Sequence, residues 1–240
     1  LDSNAPLATA LVRLLEQRGV TTAAGDVAAR AAMLAAVPHD LQVALAPIVL
    51  AIGDAAAARD SVFAPNLLTD RDWTWAYGYA PSLAIPISPI GSLSPSDPFW
   101  RRILHDTDYA ALYRAAVELA STVEAADLHR FAGATGFSFE IQTPIGAIVL
   151  GDATAQVYDA TDPLLAGDVA LLVDTGGDDV YAIAAGANTS QFNPVSVLVD
   201  LDGADSYEYA VVADPNDTGR LPSDGGGRAD PTFGAISLSS

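Results

Sequence analysis

The spacing of apolar residues changes character near residue 132. In residues 8–63 apolar side chains recur every three or four positions, which is the period of amphipathic helices. From residue 133 onward the pattern becomes short apolar runs and strict alternation, which predicts strands. We therefore expect an α+β protein with an α-helical domain over residues 1–132 and a β domain over residues 133–240.

Three helices are predicted before residue 63, because each has a plausible start or stop signal. The first ends at Gly19, whose lack of a side chain suits a helix C-terminus. The second is capped by Asp26 and stopped by Pro38. The third follows Asp40 as its cap and contains Pro47, which we expect to kink it.

A fourth helix is predicted from Tyr109 to Ala126, with Asp106 as its N-cap. Between the third and fourth helices, residues 64–105 are rich in proline and aromatic residues. We expect this segment to lie extended and wrap the helices, although its aromatic side chains also suit a platform on which sugars stack. The longest apolar run, Leu41 to Gly53, is about 13 residues, and a bilayer needs about 20, so no membrane span is expected.

Three segments of the second domain align without a gap, and each has an apolar run, a turn and a closing tyrosine. They are Ala147–Tyr158, Ala170–Tyr181 and Ser196–Tyr207, and they begin 23 and then 26 residues apart. A recurrence of this length is typical of solenoids, whose coils must stack to create a core. We therefore predict a parallel β-solenoid, or β-helix, of about three to four coils, with the tyrosines stacked as a ladder.

Composition and charge exclude several classes of function. The chain has no cysteine, so disulfides and thiolate chemistry are excluded. Its net charge of −19 repels nucleic acid and anionic lipid, so neither is an expected partner. Met33 is the only methionine, which suggests that a leader has been removed; we expect a secreted or cell-surface bacterial protein with its signal peptide cleaved.

The second and third copies share the pattern Asp-x-x-Gly-x-Asp-x-Tyr, whereas the first copy has Gly151 and Gln156 at the two acidic positions. Stacked copies are expected to place Asp174 near Asp200 and Asp179 near Asp205. Two further carboxylates, Asp178 and Asp202, stand in the same turns.

The lack of positive charge around these turns points to a metal ion. Between Phe131 and Gly219 there are 14 acids and no Lys, Arg or His. Crowded carboxylates raise one another's pKa or recruit a cation, and Ca²⁺ prefers hard oxygen ligands. We predict a Ca²⁺ site whose candidate ligands are Asp174, Asp178, Asp179, Asp200, Asp202 and Asp205. The alternative is that these aspartates only cap turns by accepting backbone N–H groups.

The turn sequences resemble the secreted calcium-binding β-solenoid proteins of bacteria. Their Asp/Gly nonapeptide is echoed in Gly176-Gly-Asp-Asp-Val-Tyr181 and Asp202-Gly-Ala-Asp-Ser-Tyr207. The period here is about 25 residues, and the third glycine of the nonapeptide is missing. The resemblance implies a calcium-binding acidic corner in a secreted solenoid and does not imply membership of that family.

Two function classes remain open. The first is a structural or adhesive binding module, with a cell-surface glycan or protein as its partner and with further coils or a second chain after Ser240. The alternative is a glycan hydrolase that uses paired carboxylates, for which Asp178, Asp179 and Asp202 are the candidates. The three histidines are isolated, and no phosphate-binding loop or nucleophile elbow is present.

Overall fold

The computed structural model describes residues 4–62, 108–183, 185–186, 193–207 and 236–239. All four expected helices are found, as α1 Pro6–Gln17, α2 Asp26–Met33, α3 His39–Val62 and α4 Tyr109–Ala125. A short 3₁₀ helix, Leu128–Phe131, leads into the strands. The expected wrapping segment, residues 64–105, lies outside the described residues.

The helices pack around α3, which contacts α1 on one side and α4 on the other. Pro47 lies inside α3 without ending it. Gln42 ties α3 to the end of α2, because its buried side-chain amide donates to the backbone oxygens of Leu34 (3.1 Å) and Val37 (2.9 Å). The cap of α4 is Asp108 rather than Asp106: the Asp108 carboxylate accepts from Ala111 N at 3.0 Å.

Among the described residues, α3 is the one helix long and apolar enough to cross a bilayer, with a mean hydropathy of 1.8 in its most apolar window. However, 61% of that window is buried inside the protein. Such burial is typical of the core helix of a folded domain.

The strands form two sheets. The larger has the order β1-β2-β4-β6-β8 and the smaller has the order β3-β5-β7. Their bounds are β1 Phe139–Thr143, β2 Gly146–Gly151, β3 Val157–Tyr158, β4 Val169–Asp174, β5 Val180–Tyr181, β6 Val195–Asp200, β7 Ser206–Tyr207 and β8 Ile236–Ser239. Each aligned copy therefore supplies one long strand to the larger sheet and one two-residue strand to the smaller sheet.

The predicted parallel β-solenoid is wrong, although the α+β class is compatible with the structure. The larger sheet is mixed, because β1 pairs antiparallel with β2 before the parallel pairs begin. In a solenoid, the outer face of each sheet is exposed to solvent. Here one face of the larger sheet packs against the helices in one apolar core. The short period of the repeat was compatible with a solenoid, but the sequence alone did not reveal that helices cover one face.

Burial on both faces explains why the long strands read as continuous apolar runs. All six residues of β2 and of β4 are buried. Alternate side chains of β2, β4 and β6 join the helices in the first core; they are Ile148, Leu150, Leu171, Val173, Val197 and Val199. The intervening side chains, including Val149, Leu172 and Leu198, join Tyr158 and Tyr181 in a second core.

Glycines let the turns of neighbouring copies approach each other closely. Gly177 and Gly203 have φ values of +131° and +141°, a region that L side chains rarely adopt. A Cβ on Gly203 would overlap the carbonyl oxygen of Gly177 in the preceding copy. A Cβ on Gly177 would in turn lie 2.9 Å from the Thr154 carbonyl oxygen of the first copy, so each of these glycines lets its turn approach the preceding one.

The substitution Gly203→Ala should destabilise the protein by about 3 kcal/mol or more, because it adds both backbone strain and overlap with a neighbouring backbone. Gly133→Ala is the matched control, since Gly133 also has positive φ (+78°) but has open space around its Cβ position. The control should cost only about 1–2 kcal/mol. Denaturant unfolding measures both, and equal losses would show that stacking of the turns is not the tighter constraint.

Candidate metal centre

The strand register aligns the acidic turns in columns. In the parallel pairs, Gly151 lies opposite Asp174, and Asp174 lies opposite Asp200. The first column therefore contains one glycine followed by two aspartates at the ends of β2, β4 and β6. This confirms the expectation that Asp174 and Asp200 are neighbours.

A second column contains Gln156, Asp179 and Asp205, just before the short strands. The Asp179 Oδ1 accepts from Gln156 N at 2.6 Å, and the Asp205 Oδ1 accepts from Asp179 N at 2.9 Å. Each aspartate thus reaches back to the backbone of the preceding copy. These bonds confirm that Asp179 and Asp205 lie together, and they also show the turn-capping role that was the alternative interpretation.

The three closing tyrosines stack in register, as expected. Ring centroids of Tyr158 and Tyr181 are 5.1 Å apart, and those of Tyr181 and Tyr207 are 5.0 Å apart. The ring planes differ by only 15° and 11°. Burial and the nearby aspartates raise the pKa of all three tyrosine hydroxyls, that of Tyr207 to about 12.

Two hydrogen bonds link the tyrosine stack to the first column. Tyr158 donates its hydroxyl proton to Asp174 Oδ2, and Tyr207 donates to Asp200 Oδ2 at 3.1 Å. A Cβ on Gly151 would overlap the Tyr158 hydroxyl and the Asp174 carboxylate. The first copy therefore has glycine at this position because the first tyrosine occupies the volume that an aspartate would need.

Three carboxylates converge beside the stack. One oxygen from each of Asp179, Asp200 and Asp205 lies within 4.8 Å of the others. Asp179 is 1% exposed, whereas Asp200 and Asp205 are half-buried. Among the described residues, Asp179 Oδ2, Asp200 Oδ1 and the Tyr181 hydroxyl are buried without a hydrogen-bond partner. Buried acceptors without a donor are costly, so this cluster has the electrostatic character of a cation site.

Burial makes the negatively charged form of these carboxylates less favourable. Burial, followed by the neighbouring Asp205, raises the pKa of Asp200 to about 6, and the Tyr181 and Tyr207 hydroxyls counteract part of that rise. Burial also raises the pKa of Asp179, and the hydrogen bond from Gln156 N opposes this effect. A divalent cation would lower these pKa values by compensating the charge.

Asp174 is fully buried, and both of its oxygens accept hydrogen bonds. Its Oδ1 accepts from Gly176 N at 2.8 Å and its Oδ2 accepts from Tyr158. Burial raises its pKa to about 6, while those two hydrogen bonds act in the opposite direction. Asp174 therefore anchors the turn and the tyrosine stack.

The structure brings together three of the six predicted ligands. Asp178 and Asp202 are exposed and lie outside the three-carboxylate cluster. Asp178 instead bridges the two turns, because its Oδ1 accepts from Ala204 N at 3.0 Å. The converging set is Asp179, Asp200 and Asp205.

Sequence reasoning missed the role of Asp152, which organises the turn of the first copy. Its carboxylate accepts from Gly136 N (2.6 Å) and from both the backbone N–H and the hydroxyl of Thr154. The Thr154 hydroxyl is the largest cause that lowers the pKa of Asp152. The signal was an aspartate two positions before a threonine, which is typical of a turn held by its own side chains.

Without a divalent cation, the protein should become more stable as pH falls from about 7 to about 5. Folding raises the pKa of Asp174 and Asp200 from 3.8 to about 6. Between those values the folded state binds more protons than the unfolded state, so the free energy of unfolding decreases as pH rises through this window. Thermal melts in EDTA across this range measure the effect.

The variant Asp200→Asn should flatten part of this pH dependence. Asp159→Asn is its control, because Asp159 lies outside the cluster and its pKa is lowered by Thr161 rather than raised. A melting temperature that rises from pH 5 to pH 7 in EDTA, or an equal pH profile in Asp200→Asn and the parent, would contradict the assignment of this window.

Comparison of the chain with protein-family models, with curated proteins and with solved structures gives no match.

Proposed function

We propose that the protein is a structural binding module whose second and third acidic turns are held together by a divalent cation, Ca²⁺. The observation that carries the proposal is the cluster of Asp179, Asp200 and Asp205, which contains buried carboxylate oxygens without hydrogen-bond partners. Two of the ligands come from the third copy and one comes from the second. A bound ion would therefore cross-link the two turns.

Turn capping and cation binding use different oxygens of the same side chains. The Oδ1 atoms of Asp179 and Asp205 accept backbone N–H groups, which orients both carboxylates. Asp179 Oδ2 and Asp200 Oδ1 remain for an ion. Within the described residues, turn capping leaves these two acceptors unpaired; the buried Tyr181 hydroxyl has one proton and can serve only one of them, whereas a cation compensates the charge of both.

The geometry and the surroundings suit calcium. Ca²⁺–O distances are about 2.3–2.6 Å, so ligand oxygens on opposite sides of one ion are about twice that far apart. The spread of the cluster, within 4.8 Å, is compatible with such a shell. Residues 139–207 contain no Lys, Arg or His that could pair with the cluster instead.

A secreted or cell-surface location is part of the same proposal. Three carboxylates supply fewer ligands than the six to eight that Ca²⁺ takes, so waters or other oxygens must complete the shell. Sites with few protein ligands bind in the range of about 10⁻⁴ to 10⁻³ M that is typical of extracellular modules.

The glycan hydrolase alternative has no observation in its favour. It requires Asp178, Asp179 and Asp202 to reach a substrate, yet Asp179 is 1% exposed. It stays an untested prediction.

Calcium should raise the melting temperature of the protein, and EDTA should reverse the rise. At a calcium concentration of about 100 times Kd, linkage predicts a gain of about 2.7 kcal/mol. For a chain of this size, that corresponds to a rise of about 5–10 °C. Tb³⁺ provides a second readout, because energy transfer from Tyr207, which donates to Asp200, should sensitise its luminescence.

Asp205→Asn should abolish most of the calcium effect, since asparagine keeps the Oδ1 acceptor for Asp179 N but removes the charge. Asp202→Asn removes the same charge from the same turn outside the cluster, so it should retain the effect. If calcium leaves the parent melting temperature unchanged and Tb³⁺ luminescence is not sensitised, the cation proposal fails. Equal losses in the two variants would show that general charge, and not this cluster, attracts the ion.

A further inference from the structure

Tyr207 ends the tyrosine stack as an exposed aromatic ring beside the acidic cluster. It is 40% exposed, whereas Tyr158 and Tyr181 are 3% and 2% exposed. One ring face packs on Tyr181 at 5.0 Å, and within the described residues no aromatic ring stacks on the opposite face. The stack therefore holds Tyr207 in a fixed orientation with part of its apolar surface accessible.

The same residue contacts the proposed cation site directly. Its hydroxyl donates to Asp200 Oδ2 at 3.1 Å, and Asp200 is one of the three converging carboxylates. Burial decreases from Asp179 through the half-buried Asp200 and Asp205 to the exposed Tyr207. Tyr207 is therefore the most exposed member of this group.

We propose that Tyr207 and the Ca²⁺ beside it form a binding site for a neutral pyranose sugar, an inference that rests on the cation site proposed above. Three carboxylates leave coordination positions of Ca²⁺ to other oxygens, and two adjacent sugar hydroxyls can replace two waters there. The C–H face of the same sugar ring then packs on the face of Tyr207, which is apolar and held in place. A pre-oriented ring lowers the entropy that binding would otherwise lose.

Charge selects a neutral sugar over an acidic one. The surrounding turns carry aspartates, and residues 139–207 contain no positively charged side chain. Although Ca²⁺ can coordinate a carboxylate, the three carboxylates of the cluster outnumber its charge, so a uronic acid would still enter a negative field. Neutral hexopyranosides avoid that repulsion.

Saturation-transfer NMR tests the proposal on the full chain with methyl α-mannopyranoside, methyl α-glucopyranoside and methyl α-galactopyranoside. At least one should show transfer in calcium, and EDTA should reduce its binding by about tenfold or more. Tyr207→Leu should cause a similar loss, whereas Tyr207→Phe keeps the stacking ring and should retain binding. Tyr113→Leu is the matched control, because Tyr113 is also exposed (60%) but lies on α4.

The calcium-induced rise in melting temperature is measured in parallel for every variant, which separates the two proposals. If calcium stabilises the protein but no glycoside shows transfer, the sugar site is overturned and the cation site stands. If calcium does not change the melting temperature, both the cation site and the sugar site are overturned. Sugar binding that persists in EDTA or in Tyr207→Leu, or equal binding of methyl β-glucuronide, would also overturn the sugar site.

Discussion

The in-register parallel pairing of β2, β4 and β6 is the constraint on which the candidate site depends. It places Asp174 opposite Asp200, and the short strands place Tyr181 opposite Tyr158 and Tyr207. A shift of one residue would move alternate side chains to the opposite faces of the sheet and separate these columns. The register is strongly fixed because both faces of the long strands are buried, one under the helices and one over the tyrosines.

Apolar burial thus stabilises an electrostatically unfavourable arrangement. The carboxylates of Asp174 and Asp200 lie beside the stack with pKa values raised to about 6, chiefly by burial. Hydrogen bonds from Tyr158, Tyr207 and backbone N–H groups compensate part of the charge. Within the described residues, Asp179 Oδ2 and Asp200 Oδ1 remain buried without a hydrogen bond, and a cation would compensate the charge of both.

Local patterns in the sequence predicted the elements well. Apolar spacing located all four helices, although the cap of α4 is Asp108 rather than Asp106, because several aspartates near the start of that helix suit a cap equally. The aligned copies predicted that the tyrosines stack and that Asp179 lies near Asp205. The solenoid was wrong because the aligned copies did not reveal that an antiparallel strand pairs with the first of them or that helices cover one face of the sheet.

The identity of the converging ligands could not be read from the sequence. Six aspartates share the two turns. The structure shows that Asp174 Oδ2 accepts the Tyr158 hydroxyl proton and that Asp178 Oδ1 accepts from Ala204 N. These choices depend on side-chain rotamers and on the volume freed at Gly151. The sequence pattern predicted that the two turns are acidic, and side-chain packing determines which of their carboxylates converge.

A crystal structure of the protein soaked with Tb³⁺ would test the proposed centre most directly. An anomalous peak should lie between Asp179, Asp200 and Asp205, at about the 2.3–2.6 Å from their oxygens that Ca²⁺ prefers. A peak held by Asp178 or Asp202 instead, or well-ordered turns without any peak at the cluster, would contradict the assignment.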